Sequence, residues 1–388
     1  MSASATELRA DILGRARTVV VKVGSAVLTT VDGLAVDAVH KLVEQISALC
    51  DRGLKVVLVS SGAVAAGRTR IRQSVPGAAN IDFSELPARQ AASAIGQSRL
   101  MHVYDESFGR SGKTVAQILL TREDLKSRSR FLNARNTMQR LLDWGVIPIV
   151  NENDTVAVAE LEFGDNDTLA SLMVDLVGAD LFVNITSAGG VFDKNPDKHP
   201  DACCLPIIDD VEALDIEGMC DGKTSVGSGG MYSKLRAARR AAQLGVATLI
   251  VSGKAEIPLD RIFGGEALGT LVLPCKRTVS HRKFWLAYHD NPAGGISVDA
   301  GAAKALRDNG KSLLPAGIRS VDGRFARGAL VRILDATGAT VGVGLSNYSA
   351  SELRRIMGRK SGELAEVLGQ APFVEAIHRD NLLLDAAL

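Results

Sequence analysis

The chain has no segment approaching the ~18 uninterrupted apolar residues that a membrane-spanning helix requires. Its start, Met1 to Arg17, interleaves Arg9, Arg15 and Arg17 with acids and has no apolar stretch of the kind a secretory leader carries. A cytoplasmic protein is expected. The five cysteines, Cys50, Cys203, Cys204, Cys220 and Cys275, are odd in number, form no CxxC pair and keep no ligand spacing with the six histidines. Neither a disulfide framework nor a structural zinc is expected. Charge of one sign is not in excess: 45 Lys plus Arg stand against 44 Asp plus Glu, a formal charge of +1. That balance excludes a protein built chiefly to coat nucleic acid or an anionic membrane. Repeats of solenoid period and low-complexity tracts are missing too.

What is present in quantity is glycine, 38 of 388 residues, with only 4% aromatics. A tenth glycine against a typical ~7% points to an Ala/Val/Leu core with many tight turns. Hydrophobic residues make up 46% and charged residues 23%, enough to bury a sizeable core. At roughly 100–200 residues per domain, the length implies two domains and leaves room for three. Apolar runs at Thr18 to Val23, Leu54 to Val59, Thr114 to Leu120, Val146 to Val150, Asp180 to Ile185 and Ala247 to Val251 read as strands. Between them, helical periodicity covers Ala35 to Asp51, Leu86 to Phe108, Phe131 to Trp144, Asn166 to Val177 and Tyr232 to Leu244. Short apolar strands alternating with helices mean a mostly parallel sheet covered on both faces, a three-layer α/β/α sandwich. After about Cys275 the texture changes to short strands and turn signals, including Gly295 to Val298, Ala329 to Leu334 and Thr340 to Leu345, with one helix near Ala302 to Asn309. The expected division is an N-terminal extension 1–17, an α/β domain 18–275, a linker 276–290 and a small β-rich domain 291–388.

Five segments are candidates for the chemistry. Lys22-Val23-Gly24-Ser25 delivers a lysine at a strand's carboxyl end into a glycine turn, where open α/β sheets bind ligands; the plainer reading is a lysine snorkelling beside an ordinary turn. Ser60-Ser61-Gly62-Ala63-Val64-Ala65-Ala66-Gly67 opens a helix with small residues, which makes either an anion site or simple capping and close packing. Asn151-Glu152-Asn153-Asp154 and Gly164-Asp165-Asn166-Asp167 flank a short excursion that reads as a hairpin; their acids and amides could position an ammonium, hold magnesium, orient lysines or cap a helix. Gly227-Ser228-Gly229-Gly230-Met231-Tyr232-Ser233-Lys234 runs a glycine-rich loop into a helix with a lysine one turn in, a phosphate nest or a mobile loop with an exposed lysine. It lacks the Walker spacing, which disfavours a P-loop NTPase. No histidine lies in any of these segments. A carboxylate acceptor, ionised at pH 7, needs no general base, so phosphoryl transfer to a carboxylate fits best.

On these residues, and on Phe131-Leu132-Asn133-Ala134-Arg135-Asn136-Thr137, the chain resembles the glutamate 5-kinase family of the amino acid kinase superfamily from about Thr18 to Arg379. Its terminal segment resembles a PUA domain, a small β-barrel. The resemblance implies ATP-dependent phosphorylation of the γ-carboxylate of L-glutamate, with Mg2+ present. Lys22 and Lys234 would flank the transferring phosphoryl and Asp167 would orient them. Glutamate would be bound by Ser61, Asp154 and Asn166, with Gly62, Asn151 and Asp165 beside them. ATP would meet Lys22, Gly24, Thr186, Ser187, Ser228, Gly229, Gly230, Met231, Tyr232, Ser233 and Lys234. Feedback inhibition by proline and a homo-tetramer or homo-dimer are family expectations, and no residue of the chain is assigned to a metal. Two positions depart from the family pattern: Ser187 stands where an acid is usual beside the nucleotide, and Ala26 where a serine is common. Two other readings stay open. One is a related amino acid kinase acting on another carboxylate. The other is a degenerate kinase that binds RNA through the terminal domain, motivated by Ser187 and by Arg319, Arg324, Arg327 and Arg332.

Overall fold

The computed structural model describes residues 5–30, 33–77, 81–157, 166–196, 198–220, 230–276, 278, 292–369 and 373–384. Two compact units divide the chain, Met1–Thr278 and Val279–Leu388. Numbering only the strands of the two larger sheets, the first unit contains β1 (Thr18–Val23), β2 (Lys55–Val59), β3 (Val115–Leu120), β4 (Ile147–Glu152), β5 (Leu181–Thr186), β6 (Ile207–Ile208), β7 (Ala247–Ser252) and β8 (Thr270–Val272). They form one eight-stranded sheet in the order β3-β4-β2-β1-β5-β7-β8-β6. Every pairing is parallel except β7 with β8. β1 lies at the centre with β2 on one side and β5 on the other, so the chain leaves it in one direction and later returns to its other edge. Such a switch point opens a crevice at the carboxyl ends of the strands.

Alternation along β1 decides what faces each layer. Val19, Val21 and Val23 join the main apolar cluster with Val56, Leu58, Val183 and Ile185, under the helices Val36–Asp51 and Leu86–Arg110. Val20 and Lys22 point the other way, toward the layer of the helices Asn166–Val177 and Met231–Gln243, which pack on each other and on the central strands. Lys22 is in register with Asn184 of β5. Both are buried on a face otherwise filled by residues such as Val57, Val59 and Phe182.

The helix Ala63–Ser74 and the long helix Leu86–Arg110 touch at backbone distance. A Cβ at Gly67 would fall 1.7 Å from the Ala92 carbonyl oxygen, and one at Gly96 1.7 Å from that of Ala63. The glycine in the sequence Ala65-Ala66-Gly67 therefore serves helix packing and not an anion site.

The N-terminal extension is largely a helix, Ala5–Arg15, and it is anchored. Arg9, 4% exposed, donates to the carbonyls of Leu268, Pro206 and Gly269 at 2.6–2.8 Å. Composition gave no hint of this, because the residues that satisfy Arg9 lie about 200 to 260 positions away. β4 also runs further than expected: Asn151 and Glu152 belong to the strand, paired with Leu119 and Leu120, rather than following it. Most of the hairpin expected between Asp154 and Gly164 lies outside the described residues, as does most of the linker.

The second unit holds a five-stranded sheet of β9 (Gly294–Val298), β10 (Ile318–Gly323), β11 (Leu330–Leu334), β12 (Thr340–Leu345) and β13 (Leu382–Leu384), in the order β10-β9-β11-β12-β13. Only β9 with β11 is parallel. With the helices Ala300–Asn309 and Ala350–Ile356 it encloses its own core, centred on Ile296, Val331, Ile333, Tyr348 and Leu353. No helix among the described residues is long and apolar enough to cross a membrane.

Candidate active site

Asp167 enters the crevice from the first turn of the helix Asn166–Val177, where the unpaired amides of a helix start favour a carboxylate. It is fully buried. Lys22 approaches one carboxylate oxygen, Oδ1, at 2.7 Å, and Lys234 approaches the other, Oδ2, at 3.1 Å. Each oxygen takes a second donor: Asn184 Nδ2 donates to Oδ1 at 2.8 Å and Ser233 Oγ to Oδ2 at 2.7 Å. Four donors on two oxygens leave this carboxylate no freedom to turn. Burial alone would raise its pKa, but the fields of Lys22 and Lys234 and the hydrogen bonds of Lys22 and Ser233 outweigh burial and hold it down at about 2. Two cations and one anion sum to a local charge of +1, presented at the end of β1. Removing one partner of such a buried group costs about 3–5 kcal/mol, because it strands the others.

A second group lies at the ends of β2 and β4. Asn166 Nδ2 donates to Ser60 O at 2.6 Å, Ser61 Oγ at 2.9 Å and Asn151 Oδ1 at 3.0 Å. Gly62 caps the helix Ala63–Ser74 at φ +100°, a left-handed conformation that only glycine adopts without strain. Asp154 accepts a hydrogen bond from Ser93 Oγ. Its pKa is raised, chiefly by burial, against the Ser93 hydrogen bond and the charge of Arg89.

The remaining expected residues divide. Thr186 ends β5, buried, with its carbonyl accepting from Gly253, and Ser187 follows it exposed. Gly24 donates its amide to Ile185 O at 3.0 Å, so that N–H is engaged in the sheet and not offered to a phosphate. Met231 and Tyr232 turn their side chains toward the apolar cluster around Ile216 and Leu235, and the Tyr232 ring lies under Arg236; what they offer the crevice is backbone. Gly230 O accepts from Ser233 Oγ at 2.9 Å. Asp165, Ser228 and Gly229 lie outside the described residues. The sequence reading missed Asn184, Ser93, Gln97 and Tyr104. Asn184 alone carried a signal, as the one amide in an otherwise apolar central strand.

The protein donors do not fit a metal cage. Among the described residues no three His, Cys, Asp or Glu side chains converge on a cation position, and Asp167 is saturated by its lysines. Two buried lysines locked to one carboxylate at a switch-point crevice form an arrangement suited to steadying anionic charge, as phosphoryl transfer requires.

Comparison with known proteins agrees. The model described as "Amino acid kinase family" matches residues 17–252, and that described as "PUA domain" matches 294–368. Proteins named glutamate 5-kinase match over nearly the whole chain. That of Maridesulfovibrio salexigens is 60% identical over 380 residues, covering 98% of this chain and 99% of its own length. That of Nitratidesulfovibrio vulgaris (strain Hildenborough) is 58% identical over 383 residues, with 99% of each covered. The Syntrophus aciditrophicus protein is 45% identical over 377 residues, covering 97% of this chain and 96% of its own. Among solved structures, a Giardia lamblia carbamate kinase bound to AMP-PNP superposes with a TM-score of 0.50 at 17% identity, covering 67% of this chain and 99% of that one, a likeness of fold alone. The chain belongs to the amino acid kinase family and, within it, to the glutamate 5-kinases.

Proposed function

We propose that this chain transfers the terminal phosphoryl group of MgATP to the side-chain carboxylate of L-glutamate, giving L-glutamyl 5-phosphate and ADP, the first step of proline biosynthesis. The observation that carries this reading is the buried Lys22–Asp167–Lys234 arrangement. An acceptor carboxylate oxygen attacks the γ-phosphorus, the bond to the bridging oxygen of ADP breaks with its electron pair, and no proton is moved. That balance suits a site without histidine. Lys22 and Lys234 neutralise charge on the phosphoryl oxygens while Asp167 fixes both ammonium groups. Mg2+ enters as part of the MgATP substrate, carried by phosphate oxygens and water.

Ser61, Asn166 and Asp154 take the acceptor, with Gly62, Asn151 and Asp165 shaping its site; the carboxylate of Asp154 suits an ammonium. The nucleotide lies along Gly24, Thr186, Ser187 and the stretch from Ser228 to Lys234. Proline as feedback inhibitor, a homo-oligomeric assembly and a cytoplasmic location complete the proposal. Of the four arginines that motivate the degenerate-kinase reading, Arg319 and Arg327 are paired with Asp299 and Glu352, which weakens that reading.

Purified protein with ATP, Mg2+ and glutamate is expected to release ADP and form an acyl phosphate that hydroxylamine traps. Absence of both with glutamate, alongside turnover of another carboxylate, overturns the assignment of the acceptor.

A further inference from the structure

We propose that one face of the long helix Leu86–Arg110, made by Ser93, Gln97 and Tyr104, is a positioning layer that sets affinity for the acceptor and leaves the chemistry of transfer untouched. This rests on the function proposed above. The three residues stand at i, i+4 and i+11, which 3.6 residues per turn bring onto one side. Each supports a different part of the acceptor group. Ser93 Oγ donates to the Asp154 carboxylate. Gln97 Oε1 accepts from Asn151 Nδ2 at 2.9 Å, and Asn151 Oδ1 in turn accepts from Asn166 Nδ2 at 3.0 Å. The Tyr104 hydroxyl lies 2.9 Å from Ser60 Oγ, and the Ser60 carbonyl accepts from the same Asn166 amide at 2.6 Å.

Side chains as buried as these, 4%, 7% and 0% exposed, are not kept polar for solvation. Gln97 makes the case most sharply. Its Nε2 is buried with no hydrogen-bond partner, a penalty that methionine would avoid at nearly the same volume. What glutamine supplies and methionine does not is the acceptor that orients Asn151. The contact of Gly96 with Ala63, between Ser93 and Gln97 along the helix, holds this face rigidly against the element that Gly62 begins. Among the described residues, the side-chain hydrogen bonds of Ser93, Gln97 and Tyr104 run to Asp154, Asn151 and Ser60, and not to Lys22, Asp167 or Lys234.

Steady-state kinetics of the full-length enzyme test this. Gln97→Met is expected to raise the KM for glutamate on the order of tenfold, with kcat within about twofold of the parent and the KM for MgATP unmoved. Ser93→Ala is expected to do the same and to shift the acid limb of kcat/KM for glutamate to higher pH, since Asp154 loses the hydrogen bond that favours its charged form. Arg89, on the same helix, is the charged neighbour that acts on Asp154 and stays in place. Ser93→Thr, which keeps the hydroxyl, restores both. A loss confined to kcat, an equal rise in the KM for MgATP, or no change at all overturns the proposal. Should Gln97→Met fail to fold, Ser93→Ala and Tyr104→Phe decide, because each removes one oxygen and keeps the packing. If the parent enzyme phosphorylates a different carboxylate, the functional reading fails by itself; the variants are then assayed with that acceptor, and a KM effect confined to it still supports the positioning layer.

Discussion

Asp167 and Asp154 are carboxylates a short distance apart in sequence that the fold drives in opposite directions. The lysines depress Asp167 to about 2 against the ordinary 3.8, whereas burial raises Asp154 above it. The sign of each follows. The stability that Asp167 contributes is present above its unfolded value and lost only as pH falls toward about 2. Asp154 takes up its proton first, and with it loses the charge proposed to meet an ammonium. On lowering the pH from neutrality, the KM for glutamate should therefore rise before kcat falls; initial-rate profiles that show kcat failing first would reverse the two roles. Asn184 gives a second test. Its Nδ2 serves Asp167, while its Oδ1 is buried without a partner. Asn184→Leu should lower kcat on the order of tenfold while moving the thermal midpoint little, because the hydrogen bond lost by Asp167 is offset by removal of the unpartnered Oδ1. A midpoint that drops together with activity would make Asn184 a packing residue.

Elements explain which of these residues could be read in advance. Lys22 and Lys234 were legible because each breaks a local pattern, a charge at the end of a β-branched strand and a charge one turn past a glycine loop. The parallel sheet was legible for the same local reason, strand runs alternating with helical periodicity. Ser93, Gln97 and Tyr104 were not, since their partners lie 61, 54 and 44 positions away. A polar residue every turn or two on a helix reads as a solvated face until the opposing element is known. Gly67 and Gly96 were visible as glycines, but their purpose is a contact between two helices. Gly96→Ala should destabilise the protein by more than the ~1–3 kcal/mol of ordinary overpacking, since a backbone carbonyl and not a flexible side chain obstructs the new Cβ. Urea denaturation measures this; an unfolding free energy within about 0.5 kcal/mol of the parent would mean that the helices part without consequence for the fold.

For the whole molecule, the main apolar core of each unit shares no members with that of the other, which implies two cooperative units. Val19, Leu58, Tyr104 and Val183 belong to one, and Ile296, Val331, Tyr348 and Leu353 to the other. The residues proposed to act on the phosphoryl group, Lys22, Asp167 and Lys234, all lie in the first unit, Met1–Thr278. A ligand that binds only a folded site adds stability of RT ln(1 + [L]/Kd), about 2.7 kcal/mol at a hundredfold excess over Kd, and it adds that to the unit holding the site. For a unit of this size the shift amounts to roughly 5–10 °C. Calorimetry of the full chain should thus show two transitions, of which a non-hydrolysable ATP analogue with Mg2+ and glutamate moves one. A single transition, or two that move in step, would mean that the units unfold as one body despite their separate cores, and would give the second unit a direct energetic stake in the kinase site. If one moves alone, substitutions in the second core should change its own transition while leaving the KM for glutamate where it was.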